Sequence, residues 1–421
     1  MKSFSCVANN KTGLTKEEIK NALYKSIEGK NLKRVLIVPP DYTRYHSNAG
    51  YITNVYYHAL KDIAHVDIMP ALGTHVPMTC EECADMYGDI PFEKFLVHNW
   101  RDDVINVGPV PERYMKEISE DTWNSIVECE VNKILFKDYD LIISVGQVVP
   151  HEVIGMSNHS KNILVGLGGS KIINASHMVG ALYGLERMMG KDHTPTRKLF
   201  DYCMANFLYH INILWVLTVT TAPGGVIQTH GLFIGKDREP LEQAIKLAQE
   251  KNLDIVEKPI KKCIVYLDPK EFKSTWLGNK AVYRTRMAIA DEGELIVLAP
   301  GVHKFGEDNK IDGLIRKYGY VGREKVLQLF KQEDDLKNNM SAAAHLIHGS
   351  SDDRFKITYA VKQIEKSEIE RVNYCSADYE EMAKVYPPDK LKLGWNILDN
   401  GEEVFYIPNP ALGLWISKGR L

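Results

Sequence analysis

The stretch DLIISVGQVVPHEVIGMSNHSKNI, Asp140 to Ile163, decides how the rest of the chain is read. Its first part, DLIISVG, is a short apolar run rich in β-branched residues, the pattern of a strand buried on both faces. The chain then turns polar and sets His151, His159 and Lys161 just past the strand. In open α/β sheets, ligands bind beyond the carboxyl ends of the strands. The loop after this run therefore matters if other strands end in the same way.

Several do. RVLIVPP (Arg34–Pro40) and VDIMPALG (Val66–Gly73) read as strands, as do KCIVYLD (Lys262–Asp268) and GELIVLAP (Gly293–Pro300). Between them, AGYITNVYYHALKDI and DREPLEQAIKLAQEKN carry apolar residues at helical spacing. Strand-helix alternation predicts an α/β fold with mostly parallel sheets flanked by helices. A chain of 421 residues exceeds one hydrophobic core, so two domains are expected. The Pro-containing basic link KPIKKC, Lys258–Cys263, suggests a first domain over 1–260 and a second over 261–421.

Composition excludes several function classes. An apolar content of 44% and a charged content of 25% are those of a globular protein. A net charge of −3, with Lys and Arg scattered, provides no basic field for nucleic acid or an anionic membrane. Seven cysteines, an odd number, form no disulfide framework. Cys80 and Cys83 make a C-x-x-C, but TCEE reads better as a capping box from Thr79 to Glu82. MKSFSCVANNKTG has no apolar signal core, and NFLYHINILWVLTV (Asn206–Val219) is too short and polar to span a bilayer. A cytoplasmic protein is expected, with Asn206–Val219 a core element.

Three strand-following loops carry the candidate chemistry. DYTRYHSNAG (Asp41–Gly50) brings Asp41 and Arg44, GTHVPMT (Gly73–Thr79) brings His75, and the opening loop brings His151 and Lys161. A single loop histidine or lysine is compatible with solvated surface. Two imidazoles at separate strand ends can flank one ligand, the geometry a racemase needs, and imidazole titrates near neutrality. Arg44 either clamps a carboxylate or pairs with Asp41. GLGGSK (Gly166–Lys171) is neither a dinucleotide fingerprint nor a Walker loop. His177, in NASHMVG, reads locally as a helix-proximal core histidine. The residues alone thus reach an α/β enzyme with a His, His, Lys, Arg site, and no reaction.

Taken in order, DYTR, GTHVPMT, PHEVIGMSNHSK and NASH resemble the nickel-pincer nucleotide-dependent lactate racemase family. The intervals His151 to Lys161 and Lys161 to His177 match that family's spacing of catalytic His, cofactor-bearing Lys and nickel-binding His. The resemblance implies two α/β domains with the active site in the interdomain cleft. It implies a cofactor, the Ni(II) complex of pyridinium-3,5-dithiocarboxylic acid mononucleotide, tethered to Lys161 and ligated by His177. His75 and His151 become the acid/base pair, and Asp41 and Thr43 line the cofactor pocket. Arg44, Lys280 and Trp276, the last two from WLGNK, become substrate contacts. The implied reaction is inversion at C2 of a 2-hydroxy acid by reversible hydride transfer, with cofactor-synthesis enzymes as indirect partners. The alternative is a nickel-free hydro-lyase or organic-anion-binding relative using the same His/Arg pocket.

The chain departs from the family at three places. Asn158-His159-Ser160 stand where it has Gly-Gly-Arg, Tyr45 stands for a proline, and Leu277 occupies a polar position. The first change is expected to cost backbone freedom and a positive charge. Together they favour a larger, polyhydroxy acid such as gluconate over lactate.

Overall fold

The structure is a computed structural model and describes residues 3–420. The chain forms two compact α/β units. One runs to Tyr183 and resumes over Arg187–Asn252; the other comprises Gly184–Glu186 and the chain from Leu253.

The first unit is built on a six-stranded sheet. Its spatial order is Phe4–Val7, Gln228–Gly235, Ile213–Thr221, Leu141–Gln147, Arg34–Val38, His65–Ile68. The last four strands run parallel, and the first three pair antiparallel. Parallel strands are covered on both faces, which is why the central ones read as unbroken apolar runs. All of Leu141–Gln147 is buried. Alternate residues still face opposite cores: Leu141, Ile143 and Val145 pack on one side and Ile142 on the other. Val35 and Ile37 join the first core, Leu36 and Val38 the second. Helices Lys16–Ile27, Ala49–Leu60 and Cys80–Tyr87 cover one face, supplying Leu23, Tyr56 and Met86. Helices Ser170–Tyr183, Pro195–Asn206 and Glu239–Asn252 cover the other, supplying Ile173, Phe200 and Ala244.

The expected elements are present, with displaced ends. The strand expected over Val66–Gly73 stops at Ile68, because Pro70 lacks the N–H that a ladder needs. Residues after it are therefore free to form a loop. Thr79 and Glu82 do form a capping box, leaving Cys80 exposed and Cys83 buried, both as free thiols. Asn206–Val219 divides between the end of one helix and the strand Ile213–Thr221 at the sheet's centre. Among the described residues, no helix is long and apolar enough to cross a membrane.

The second unit carries its own six-stranded sheet, ordered Cys375–Asp378, Phe355–Val361, Ile289–Ala299, Ile260–Tyr266, Glu403–Ile407, Gly394–Ile397. All neighbours are parallel except the final pair.

Candidate active site

Leu141–Gln147, Arg34–Val38 and His65–Ile68 are neighbours and parallel, so their carboxyl ends share one edge of the sheet. Adjacency of strands distant in sequence thus gathers three polar loops.

The Arg34–Val38 strand leads to Asp41, 4% exposed, which precedes the 3-10 helix Tyr42–Ser47. His75 Nδ1 lies 2.5 Å from Asp41 Oδ2, and the Thr43 hydroxyl donates to Asp41 Oδ1 at 2.6 Å. Burial alone pushes this carboxyl up. The His75 charge and hydrogen bond, the Thr43 hydroxyl and the Arg44 charge outweigh it, so Asp41 sits below its ordinary value. An ionised carboxylate only accepts, so Nδ1 of His75 carries the hydrogen, which leaves Nε2 as the nitrogen able to exchange a proton. Arg44 acts through charge and has no ion-pair partner among the described residues.

Past Gln147 the chain folds back in a two-residue ladder, Pro150–His151 against Gly155–Met156. His151 is 4% exposed, and its Nδ1 accepts the Val153 N–H at 3.1 Å. The Glu152 carboxylate stands 3.5 Å from the same nitrogen. Nδ1 therefore has both a fixed donor and an acceptor in reach, and can bear either a lone pair or a proton.

Lys161 opens the short helix Ser160–Leu164 and is half-buried. Burial, then the Arg44 charge, bring its amine down to about 8, against Glu152 and Asp41, which raise it. About a tenth of the amine is then nucleophilic free base at pH 7, far more than for an ordinary lysine. His177 lies on helix Ser170–Tyr183, and its Nδ1 donates to the Ile173 carbonyl at 2.7 Å. Burial pushes this imidazole down to about 4; Glu152, Lys161 and His75 act on it through charge. His177 is thus neutral at pH 7, with its Nε2 lone pair free of a proton, the form a metal requires. His177, read locally as a helix-proximal core histidine, lies half-buried on that helix, with Glu152, Lys161 and His75 as its electrostatic company.

The glycine run joins these two helices as a tight turn. A Cβ on Gly166 would lie 2.3 Å from the Asn162 carbonyl oxygen, and one on Gly168 2.0 Å from that of Leu164. The Gly168 carbonyl accepts from buried His98, whose Nδ1 is held by Asn132. Gly73, at φ +58, donates to the Gly166 carbonyl at 2.9 Å and so ties the His75 loop to the same turn. These glycines bring Lys161, His177 and His75 to one place by backbone contact.

The Asn158-His159-Ser160 turn, expected to have less backbone freedom than glycines would give, keeps a glycine-like geometry. Asn158 and His159 adopt φ of +66° and +57°, the left-handed region that glycine favours. Such conformations cost about 1–3 kcal/mol each. Asn158 Oδ1 accepts the His159 N–H at 2.7 Å, and the His159 ring packs on Trp215 with centroids 4.1 Å apart. Burial holds His159 well below the usual imidazole value, so it serves as a neutral wedge. Sequence reading also missed Glu152, though it adjoins His151, and Arg197, which no local pattern marks.

Trp276 and Lys280 belong to the second unit, on the short helices Thr275–Gly278 and Lys280–Tyr283. The Trp276 ring lies 4.4 Å from that of His345, and Lys280 is 4% exposed with its amine 5.4 Å over Phe272. Asn279 between them accepts from the Tyr359 and Tyr374 hydroxyls.

Among the described residues, no three His, Cys, Asp or Glu are arranged to hold a metal ion. A metal held through His177 would take its other donors from water or from a bound organic group. Such a group fits here: one neutral imidazole and one primary amine of lowered basicity share the site.

Residues 5–188 match the family described as lactate racemase N-terminal domain. Over 150 residues, 34% of this chain, the sequence is 29% identical to the lactate racemase of Lactiplantibacillus plantarum. That alignment spans only 32% of the relative's length. In fold, the chain is similar to a Thermotoga maritima protein, with a TM-score of 0.84 at 23% identity over 98% of this chain and 100% of the other. It is also similar to the lactate racemase apoprotein of Thermoanaerobacterium thermosaccharolyticum, with a TM-score of 0.68 at 17% identity over 96% and 93%.

Proposed function

Because residues 5–188 match the lactate racemase N-terminal domain family, we propose that the chain inverts the C2 centre of a 2-hydroxy carboxylic acid. The observation that carries this reading is the cluster at one sheet edge: a carboxylate-backed imidazole, an amine of lowered basicity and a neutral imidazole. Lys161 and His177 are the residues that would hold a nickel-pincer nucleotide, by covalent attachment and through Nε2. When bound, that group supplies the acceptor and donor of the C2 hydride.

The chain's own residues do the rest. Arg44, lacking a carboxylate partner, takes the substrate carboxylate. His75 Nε2 accepts the hydroxyl proton as C2 becomes planar, and Asp41 balances the imidazolium that forms. On the other face His151 exchanges the proton; Glu152 accepts from Nδ1 when the ring is charged, and Val153 donates to it when neutral. Polar Tyr45 and His46 beside Arg44 favour a polyhydroxy acid such as gluconate over lactate.

The test uses chain co-produced with cofactor-synthesis enzymes and each enantiomer or C2 epimer of a 2-hydroxy acid panel, deuterated at C2. Inversion with retention of deuterium, and an added mass on Lys161, are expected. Inversion with washout into water, or full activity on unmodified Lys161, would sink the proposal.

A further inference from the structure

The strained turn before Lys161 is held by a residue from elsewhere in the chain. Arg197, on helix Pro195–Asn206, is 1% exposed. One of its terminal nitrogens donates to the Met156 carbonyl at 2.6 Å, the other to the Ser160 hydroxyl at 2.8 Å, and both to the Asn158 carbonyl at 3.3 Å. Its acceptors thus bracket the two left-handed residues and end one residue short of Lys161. Ser160 passes its own hydrogen to Asp201 at 3.3 Å. A buried guanidinium without a bidentate carboxylate is a costly way to fill a core. Asp201 and Asp192 act on it only through longer-range charge. Its planar fork reaches diverging oxygens, which a lysine's point charge does not.

We infer that Arg197 is the positioning residue for Lys161: it fixes the Asn158–His159–Ser160 turn and thereby aims the amine to which a cofactor attaches. The inference rests on the proposed attachment at Lys161. It also accounts for a loop that keeps glycine-like geometry with side chains in place of glycines. The charged groups acting on Lys161 are Arg44, Glu152, Asp41 and Arg197, so the same guanidinium contributes to keeping the amine partly unprotonated.

Three readouts on full-length chain test this, with Arg197→Lys and Arg197→Met. In apoprotein, amide hydrogen exchange over residues 156–161 should quicken at least tenfold in both variants, while the strand Ile213–Thr221 stays protected. Acetylation of Lys161 by an N-hydroxysuccinimide ester, followed by mass spectrometry against pH, should keep its midpoint in Arg197→Lys. It should move upward in Arg197→Met, which loses the charge. After co-production with cofactor-synthesis enzymes, adduct on Lys161 should fall at least tenfold in both. Unchanged exchange, or undiminished loading in Arg197→Lys, would overturn the inference; that variant decides if Arg197→Met does not fold. If wild-type chain is never loaded, the proposed function fails while exchange and acetylation still judge the clamp.

Discussion

Asp41 and His75 form the most informative pair in the molecule, because a carboxylate that only accepts dictates where the imidazole keeps its hydrogen. Asp41→Asn preserves the shape and can still accept from Nδ1, but it no longer balances an imidazolium. Acid/base catalysis of this kind contributes on the order of 10²–10⁴-fold, so kcat should fall about a hundredfold or more with KM little changed. Steady-state rates on cofactor-loaded chain check this, and a variant within threefold of wild type would remove His75 from the acid/base role. The same pair carries a stability signature. Asp41's folded value is depressed, so its contribution is present above its unfolded value of 3.8 and lost as pH falls through the folded one. Apo Asp41→Asn should accordingly lose less stability than wild type on acidification below about pH 4, when urea midpoints are compared.

At the scale of elements, the central strands were legible because strands buried on both faces leave unbroken apolar runs, as RVLIV and LIISVGQ do. The polar loops were legible as loops, and strand adjacency turned them into one site. Arg197 was not, since its partners are mostly backbone oxygens, which carry no residue identity. Glu152 resembled any loop carboxylate until its distance from His151 was known. GLGGSK was visible as a turn, but only the packing shows what the turn is for. Gly168→Ala tests that reading. Its methyl would sit 2.0 Å from the Leu164 carbonyl oxygen and force the helix bearing Lys161 away from the His177 helix. Overpacking of this sort costs about 1–3 kcal/mol, to be read from denaturant midpoints. Gly313→Ala is the contrast: nothing lies within 4 Å of the added methyl, on helix Asn309–Tyr318. It should be stabilising by about 0.5–1 kcal/mol. Equal losses in both would mean that the turn is not tightly packed.

For the molecule as a whole, a site that keeps histidines neutral sets a direction for stability against pH. His98 and His177 are each pushed from 6.5 down to about 4 by burial, and His159 lies well below 6.5 for the same reason. Between pH 6.5 and about 4 the unfolded chain binds protons at these positions that the folded chain refuses. Stability therefore rises with pH across that window, by up to about 1.4 kcal/mol per pH unit for each fully refused proton. The carboxylate effect at Asp41 sets in only below this range, so the two are separable. Apoprotein should show a falling unfolding free energy from pH 7 to pH 5. His98→Gln isolates one contributor outside the catalytic cluster: it loses stability at pH 7, where His98 joins Asn132 to Gly168, but shows a shallower slope. A slope the same as wild type would mean that His98 does not resist protonation in the fold. The argument reaches the site because His177 obeys the same rule. A ligand that occupies its Nε2 competes with the proton only below about pH 4, so if the proposed cofactor is held there, its retention, followed by intact mass and metal content, should hold from neutrality to about pH 5 and fail with the fold rather than before it.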